Sequence, residues 1–310
     1  MRSKLFSKTG SVLRQAFTEF LEDKVMRMSA ALAYYTIFSI GPMLIVITYL
    51  CSIFLREKAA TGTVYEQIKD LVGPDAALQI QSIITNASVT GSFSAATLIG
   101  VVALVFGATG IFAEIQDSIN HIWHLKAQPP KGKGFLKMLL NRLLSFSMVV
   151  SLGFILLVSL LLNTVLDLLL NQLGRLLPET TIYLTYTLNF AITLCITTLL
   201  FAIIFKVLPD AHMRWKDGLV GATATALLFL LGKFAISYYI GRSKFNNSYG
   251  AAGSLVIVLA WVYYSAAILY FGAELTKVYA RLYGGGIIPN RYAIRVQTTE
   301  VKPEPPGATG

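Results

Sequence analysis

Ser254–Leu275, SLVIVLAWVYYSAAILYFGAEL, runs 22 residues with a single carboxylate, Glu274, and no Lys or Arg. A helix needs about 20 mainly apolar residues to cross the hydrocarbon of a bilayer, so this stretch reads as a membrane span. Five more segments of the same kind precede it, at 30–55, 94–115, 143–167, 182–206 and 217–240. The expected fold is therefore all-α: a polytopic membrane bundle of six transmembrane helices. Small residues recur at packing spacing within the spans, as at Ala103 and Gly107 or Ala222 and Ala226, which lets helices approach closely in lipid.

Composition leads the same way. Of 310 residues, 55% are hydrophobic and 14% charged, where a soluble domain is nearer a quarter charged. A net charge of +10 would point to nucleic acid in a soluble protein, but here Lys and Arg flank the apolar runs. No nucleic-acid partner is expected; the lipid bilayer is. Connections 1–29, 116–142, 206–216 and 276–310 hold 19 Lys and Arg, and the alternate connections hold 6. By the positive-inside rule both termini lie in the cytoplasm. The two cysteines, Cys51 and Cys195, sit in apolar stretches and form no disulfide framework or metal spacing. The basic N-terminus is not followed by a short cleavable core, so no signal peptide is expected.

Outside the spans, residues 1–29 read as a cytoplasmic interfacial helix, with Leu13, Phe17, Phe20 and Leu21 on one face among Arg14, Glu19, Glu22 and Lys24. The external loop 56–93 has two helical patterns parted by Gly73-Pro74, predicting two short amphipathic helices over the outer face of the 30–283 transmembrane domain. From 284 to 310, a triple Gly and the run Lys302-Pro303-Glu304-Pro305-Pro306-Gly307 predict a disordered cytoplasmic tail.

Several stretches at matching intervals resemble the YihY/BrkB family of bacterial inner-membrane proteins, which also goes under the label UPF0761. They are Ser29-Ala30-Ala31-Leu32-Ala33-Tyr34-Tyr35 through Gly41-Pro42, Phe106-Gly107-Ala108-Thr109-Gly110 onward to Asn120, Ile122 and Trp123, and Leu208-Pro209-Asp210 with Trp215. Tyr249 to Ser254 and Phe271-Gly272-Ala273-Glu274 complete the set, which covers roughly residues 10–283. The resemblance implies a six-span protein of the bacterial plasma membrane. Some members of that family are described as exporters or linked to virulence, and an older label makes it a tRNA-processing ribonuclease.

Lys233 is the one Lys or Arg well inside a span, and intramembrane charge marks a functional site by default. At similar depth lie Asn189 and, toward the same side, Asn163 and Asp167, so these four predict an outer polar cluster that binds or gates a polar or anionic solute. Snorkelling of Lys233 to the outer headgroups is the plain alternative. Glu114 and Glu274 fall near the cytoplasmic ends of their spans, with Arg27, Arg142, Lys206 and Arg214 bordering the same face. Ion pairs there would lock a gate, or merely anchor the helix ends. Gly41-Pro42 interrupts the first span and predicts a kink or hinge, with helix packing as its first explanation.

Glu114, Asp117, His121 and His124 share one helical face, yet a straight helix offers two adjacent ligands at most to one ion. No metal site is expected, with Asp117 and His121 the remaining candidates. No phosphate-binding loop and no catalytic constellation outside the membrane is present, so no cofactor and no enzyme activity are expected. The reading that results is an inner-membrane transporter or exporter of an unknown small polar or amphipathic solute. A non-transporting scaffold or lipid-organising protein is the second reading, the ribonuclease the third, and homo-oligomerisation stays open.

Overall fold

The structure is a computed structural model that describes residues 2–54, 78, 110–128, 178–242, 253–291 and 293–297. Helix α1 spans Arg2–Glu22 and α2 spans Val25–Phe54. Helix α3 is described over 110–122, α4 is Pro178–Val207, α5 Trp215–Arg242 and α6 Gly253–Leu282. Within α4, α5 and α6, Thr187–Val207, Trp215–Ile236 and Leu255–Leu282 are long and apolar enough to cross a membrane. Their outer surfaces carry large apolar side chains such as Phe190, Leu231 and Phe234, the last 78% exposed. Such a surface suits lipid, not water.

Close packing explains how α5 and α6 hold together. Gly221 lies against Thr276, and Gly272 against Thr225, so that a Cβ on either glycine would run into the threonine hydroxyl opposite. Each threonine donates its hydroxyl hydrogen to the glycine carbonyl one turn back in its own helix, both at 2.7 Å. The antiparallel pair thus interlocks glycine to threonine twice, and neither threonine hydroxyl is left unsatisfied in an apolar setting. Ala222 and Ala226, picked out above for their spacing, are wholly buried in the main core.

Helix α1 departs from the expected single apolar face. Val12, Ala16 and Phe20, spaced i, i+4 and i+8, are buried, the first two against Leu275 and Val278 of α6. Leu13, Phe17 and Leu21 remain exposed. One edge of the helix is therefore used for docking and the next is apolar and uncovered, which suits a helix lying at a membrane surface. Lys24, at φ 53°, makes the left-handed turn into α2.

Helix α2 is continuous through Gly41-Pro42. The kink or hinge expected at that pair falls inside an unbroken helix: proline removes one donor from the helical ladder, and the rest of the ladder carries the helix past it.

The start of the expected disordered tail is also corrected. Strand β1 (Leu125–Ala127) pairs antiparallel with β4 (Ala293–Arg295), and β2 (Ala211–His212) with β3 (Ile288–Pro289). The chain leaves α6 through Gly286, at φ 72°, whose N–H donates to the Ala280 carbonyl at 3.0 Å. Glycine reverses the chain there without steric cost, and backbone pairing together with the burial of Ile287 in the main core orders this stretch. The tail beyond 297 and nearly all of the 56–93 loop lie outside the described residues.

Candidate functional site

At the end of the bundle where α1 meets α6, one side chain gathers four oxygen atoms. Lys277 Nζ lies 2.7 Å from Glu274 Oε2, 2.9 Å from Glu19 Oε2 and 3.2 Å from Asp23 Oδ2. It also donates to the Ile122 carbonyl at 2.7 Å. That carbonyl is at the C-terminus of α3, where a cation satisfies an orphan acceptor and the helix dipole together. One turn further along α6, Arg281 pairs with Glu19. The Lys277 side chain is 7% exposed, and those of Glu274, Glu19 and Asp23 are 0%, 14% and 15% exposed.

Helix geometry explains why these groups converge. Glu19 and Asp23 are four residues apart at the end of α1, and Lys277 and Arg281 four apart on α6. Matching i, i+4 pairs of opposite sign face each other. The Val12, Ala16 and Phe20 ridge sets the register that brings them together. Burial alone would raise the Glu19 carboxyl, but hydrogen bonds from Arg281 and Lys277 outweigh it and hold the group below its ordinary value of 4.5. His124, in a left-handed turn at φ 54° after α3, is lowered by burial and then by the Lys277 charge.

Glu274 differs from its neighbours. Both of its oxygens are buried without a hydrogen-bond partner, although Oε2 is in ionic contact with Lys277. Charge, not an aligned hydrogen bond, holds that pair. One turn earlier on α6, Tyr270 is wholly buried with its hydroxyl unpartnered, and on α3 the Ser118 hydroxyl donates to Glu114 Oε1 at 3.4 Å.

Two further contacts fix the frame around them. Asn120 Nδ2 donates to Asp210 Oδ2 at 3.1 Å, and the Asp210 backbone N–H donates to Asn120 Oδ1 at 2.9 Å. Trp123 Nε1 donates to the Ala273 carbonyl at 3.1 Å. Sequence stretches around 120, 210 and 273 therefore meet in one place. Lys206 is not a partner of Glu274 here: it donates to the Met213 carbonyl and lies over the Trp215 ring.

Of the residues singled out from sequence, Glu114 and Glu274 belong to this region. Lys233 is half-buried on α5 and Asn189 half-buried on the adjacent α4. Asn163, Asp167 and Arg142 lie outside the described residues. Asp117 and His121 are exposed on α3, and no three of His, Cys, Asp and Glu are grouped to hold a metal ion among the described residues. Sequence reasoning missed Glu19, Asp23, Lys277 and Arg281 as a unit. The matching i, i+4 pairs and the i, i+3 spacing of Glu274 and Lys277 were the available signal.

The family model described as virulence factor BrkB matches residues 16–289. The chain belongs to that family. This BrkB-family chain is similar to UPF0761 membrane proteins over most of its length. One from Bordetella petrii is 29% identical over 277 residues, 88% of this chain and 58% of the relative. One from Xanthomonas campestris pv. campestris is 26% identical, covering 87% and 61%. One from Aeromonas salmonicida is 24% identical, covering 86% and 88%. The chain thus spans about three-fifths of the length of the first two relatives. No solved structure matches.

Proposed function

We propose that this BrkB-family membrane protein is an inner-membrane transporter or exporter of a small polar or amphipathic solute. In this reading it has six spans with both termini in the cytoplasm, and it works by rearrangement of its helices. The observation that carries the reading is the buried Lys277 cluster. A purely structural bundle gains little from burying three carboxylates and an ammonium, because matched apolar side chains often pack as stably. Ionisable groups inside membrane helices are costly and mark ion or substrate pathways and gates.

The cluster ties α6 to α1 and to the end of α3, so opening that end requires the ions to part. It acts as an inner latch, with Glu114 on the same α3 helix whose end Lys277 holds, and Arg142, as further candidates. Lys233, Asn189, Asn163 and Asp167 are the candidates for the outer binding or gating site, with Gly41-Pro42 as a hinge.

Liposomes holding the purified protein and a mixture of small polar solutes test this by mass spectrometry of what leaves under an imposed ion gradient. At least one solute is expected to leave faster than from protein-free liposomes, at a rate altered by Glu274→Gln. Absence of protein-dependent flux under every gradient would favour the non-transporting scaffold.

A further inference from the structure

Beside the ridge that docks on α6, helix α1 carries a second apolar edge. Leu13, Phe17 and Leu21, spaced i, i+4 and i+8, are 45%, 55% and 59% exposed. The Phe17 and Phe20 rings stack with centroids 6.4 Å apart, so the docked edge runs directly into the uncovered one.

Neighbours on α6 show which way the uncovered edge points. Glu19 meets Lys277 and Arg281, whereas Phe20, one position later, meets Phe271 with ring centroids 5.6 Å apart. Phe271 lies ten residues before Arg281, about 15 Å further into the span. Passing round α1 from Glu19 to Phe20 therefore goes from the end of α6 toward its middle. Phe17 and Leu21 lie about 60° and about 100° further round in the same sense, which turns this edge toward hydrocarbon.

Depth agrees with that direction. The apolar stretch Leu255–Leu282 has 28 residues, so it is about 42 Å long against about 30 Å of hydrocarbon, and each end reaches among headgroups by about one turn. Helix α1 packs on it at Leu275 and Val278, with Ala224 and Leu228 of α5 alongside. Those two α6 contacts are about 6–11 Å from Leu282, at the boundary between acyl chains and headgroups.

Charge selects the lipid. Arg2, Lys4, Lys8 and Arg14 all precede the first carboxylate of the chain, Glu19. Glu19 is taken up by Lys277 and Arg281, and the exposed Glu22 lies about 140° round the helix from Phe17. Arg14 is exposed and borders the apolar edge. A basic helix at headgroup depth attracts phospholipids of net negative charge and is indifferent to zwitterionic ones.

We propose that α1 is a binding site for anionic phospholipid. Leu13, Phe17 and Leu21 lie among the acyl chains, and Arg14, with the basic residues before it, draws in the phosphate headgroups. The site does not depend on the transport reading above.

Fluorescence quenching of the full chain in phosphatidylcholine vesicles tests the proposal. A bimane label is placed at Phe17→Cys, with Cys51→Ser and Cys195→Ser, and the vesicles contain either brominated phosphatidylglycerol or brominated phosphatidylcholine. Both lipids are expected to quench the label, phosphatidylglycerol at roughly half the mole fraction or less. Arg14→Gln brings the two lipids toward equality while quenching persists, and high salt does the same without that substitution. A label at Gln15→Cys, on the far side of α1, is quenched by aqueous iodide and by neither lipid. Equal quenching by the two lipids with Arg14 in place overturns the proposal, as does a preference that neither salt nor Arg14→Gln weakens. Absence of quenching by both lipids at Phe17→Cys also overturns it, and a disulfide between two Phe17→Cys chains would then make a second copy the occupant.

Discussion

Replacing Lys277 by methionine keeps the apolar stem and removes the charge. Glu19, Asp23 and Glu274, all within 3.2 Å of the ammonium, then face one another, and the Ile122 carbonyl loses its donor. Breaking a buried ion pair by removing one partner costs about 3–5 kcal/mol, and here one partner serves three carboxylates. Lys277 is 7% exposed, so water cannot take over its role without rearrangement. The upper part of that range is expected for Lys277→Met at neutral pH, read as chemical or thermal unfolding of purified protein in detergent. Acid should shrink the loss, because protonated carboxyls no longer repel. Adding Glu274→Gln to Lys277→Met should recover roughly 0.5–3 kcal/mol of non-additive coupling. If Lys277→Met unfolds within about 1 kcal/mol of the unaltered protein, an amount expected of an exposed pair, the cluster is not what holds α1 to α6.

Other perturbations probe the frame. Because the Glu19 carboxyl is held below 4.5 in the fold, its stabilisation is complete above the unfolded value and is lost as pH falls through the folded one. Melting temperatures measured into acid should show a decline that Glu19→Gln flattens. Asn120→Ala removes both bonds to Asp210 and leaves buried polar groups unpaired, an expected loss of about 1–3 kcal/mol in the same unfolding assay. Gly272→Ala drives a methyl into Thr225 and should cost about 1–3 kcal/mol, with Thr225→Ala, which removes both the hydroxyl and the methyl that crowd it, partly restoring it. Reporter fusions after residue 297 should be fluorescent as green fluorescent protein and inactive as alkaline phosphatase if the C-terminus is cytoplasmic.

Much of the site was legible as pieces. Glu274 stands out because a carboxylate in an apolar run has few explanations, and Asn120, Trp123 and Asp210 stand out within the stretches that resemble the family. Lys277 and Arg281 did not, since basic residues at the end of a span are expected for orientation alone. Their role depends on the α1 register, and in α1 the bulkier residues Leu13, Phe17 and Leu21 drew attention from the thinner ridge of Val12 and Ala16 that makes the contact. Small side chains decide close helix packing yet contribute little to an amphipathic pattern.

Sequence by itself determined the membrane character of this chain, because length and hydropathy of a segment are local properties that need no partner to read. It also marked Ala222 and Ala226 as contact points by their spacing. Only tertiary structure decided that three carboxylates share one ammonium, that residues 288–289 and 293–295 pair back onto β2 and β1, and that Asn120 meets Asp210 ninety positions away. Those outcomes depend on which helix faces meet and at what register, and electrostatic balance in a buried cluster is a sum over groups that the sequence holds far apart.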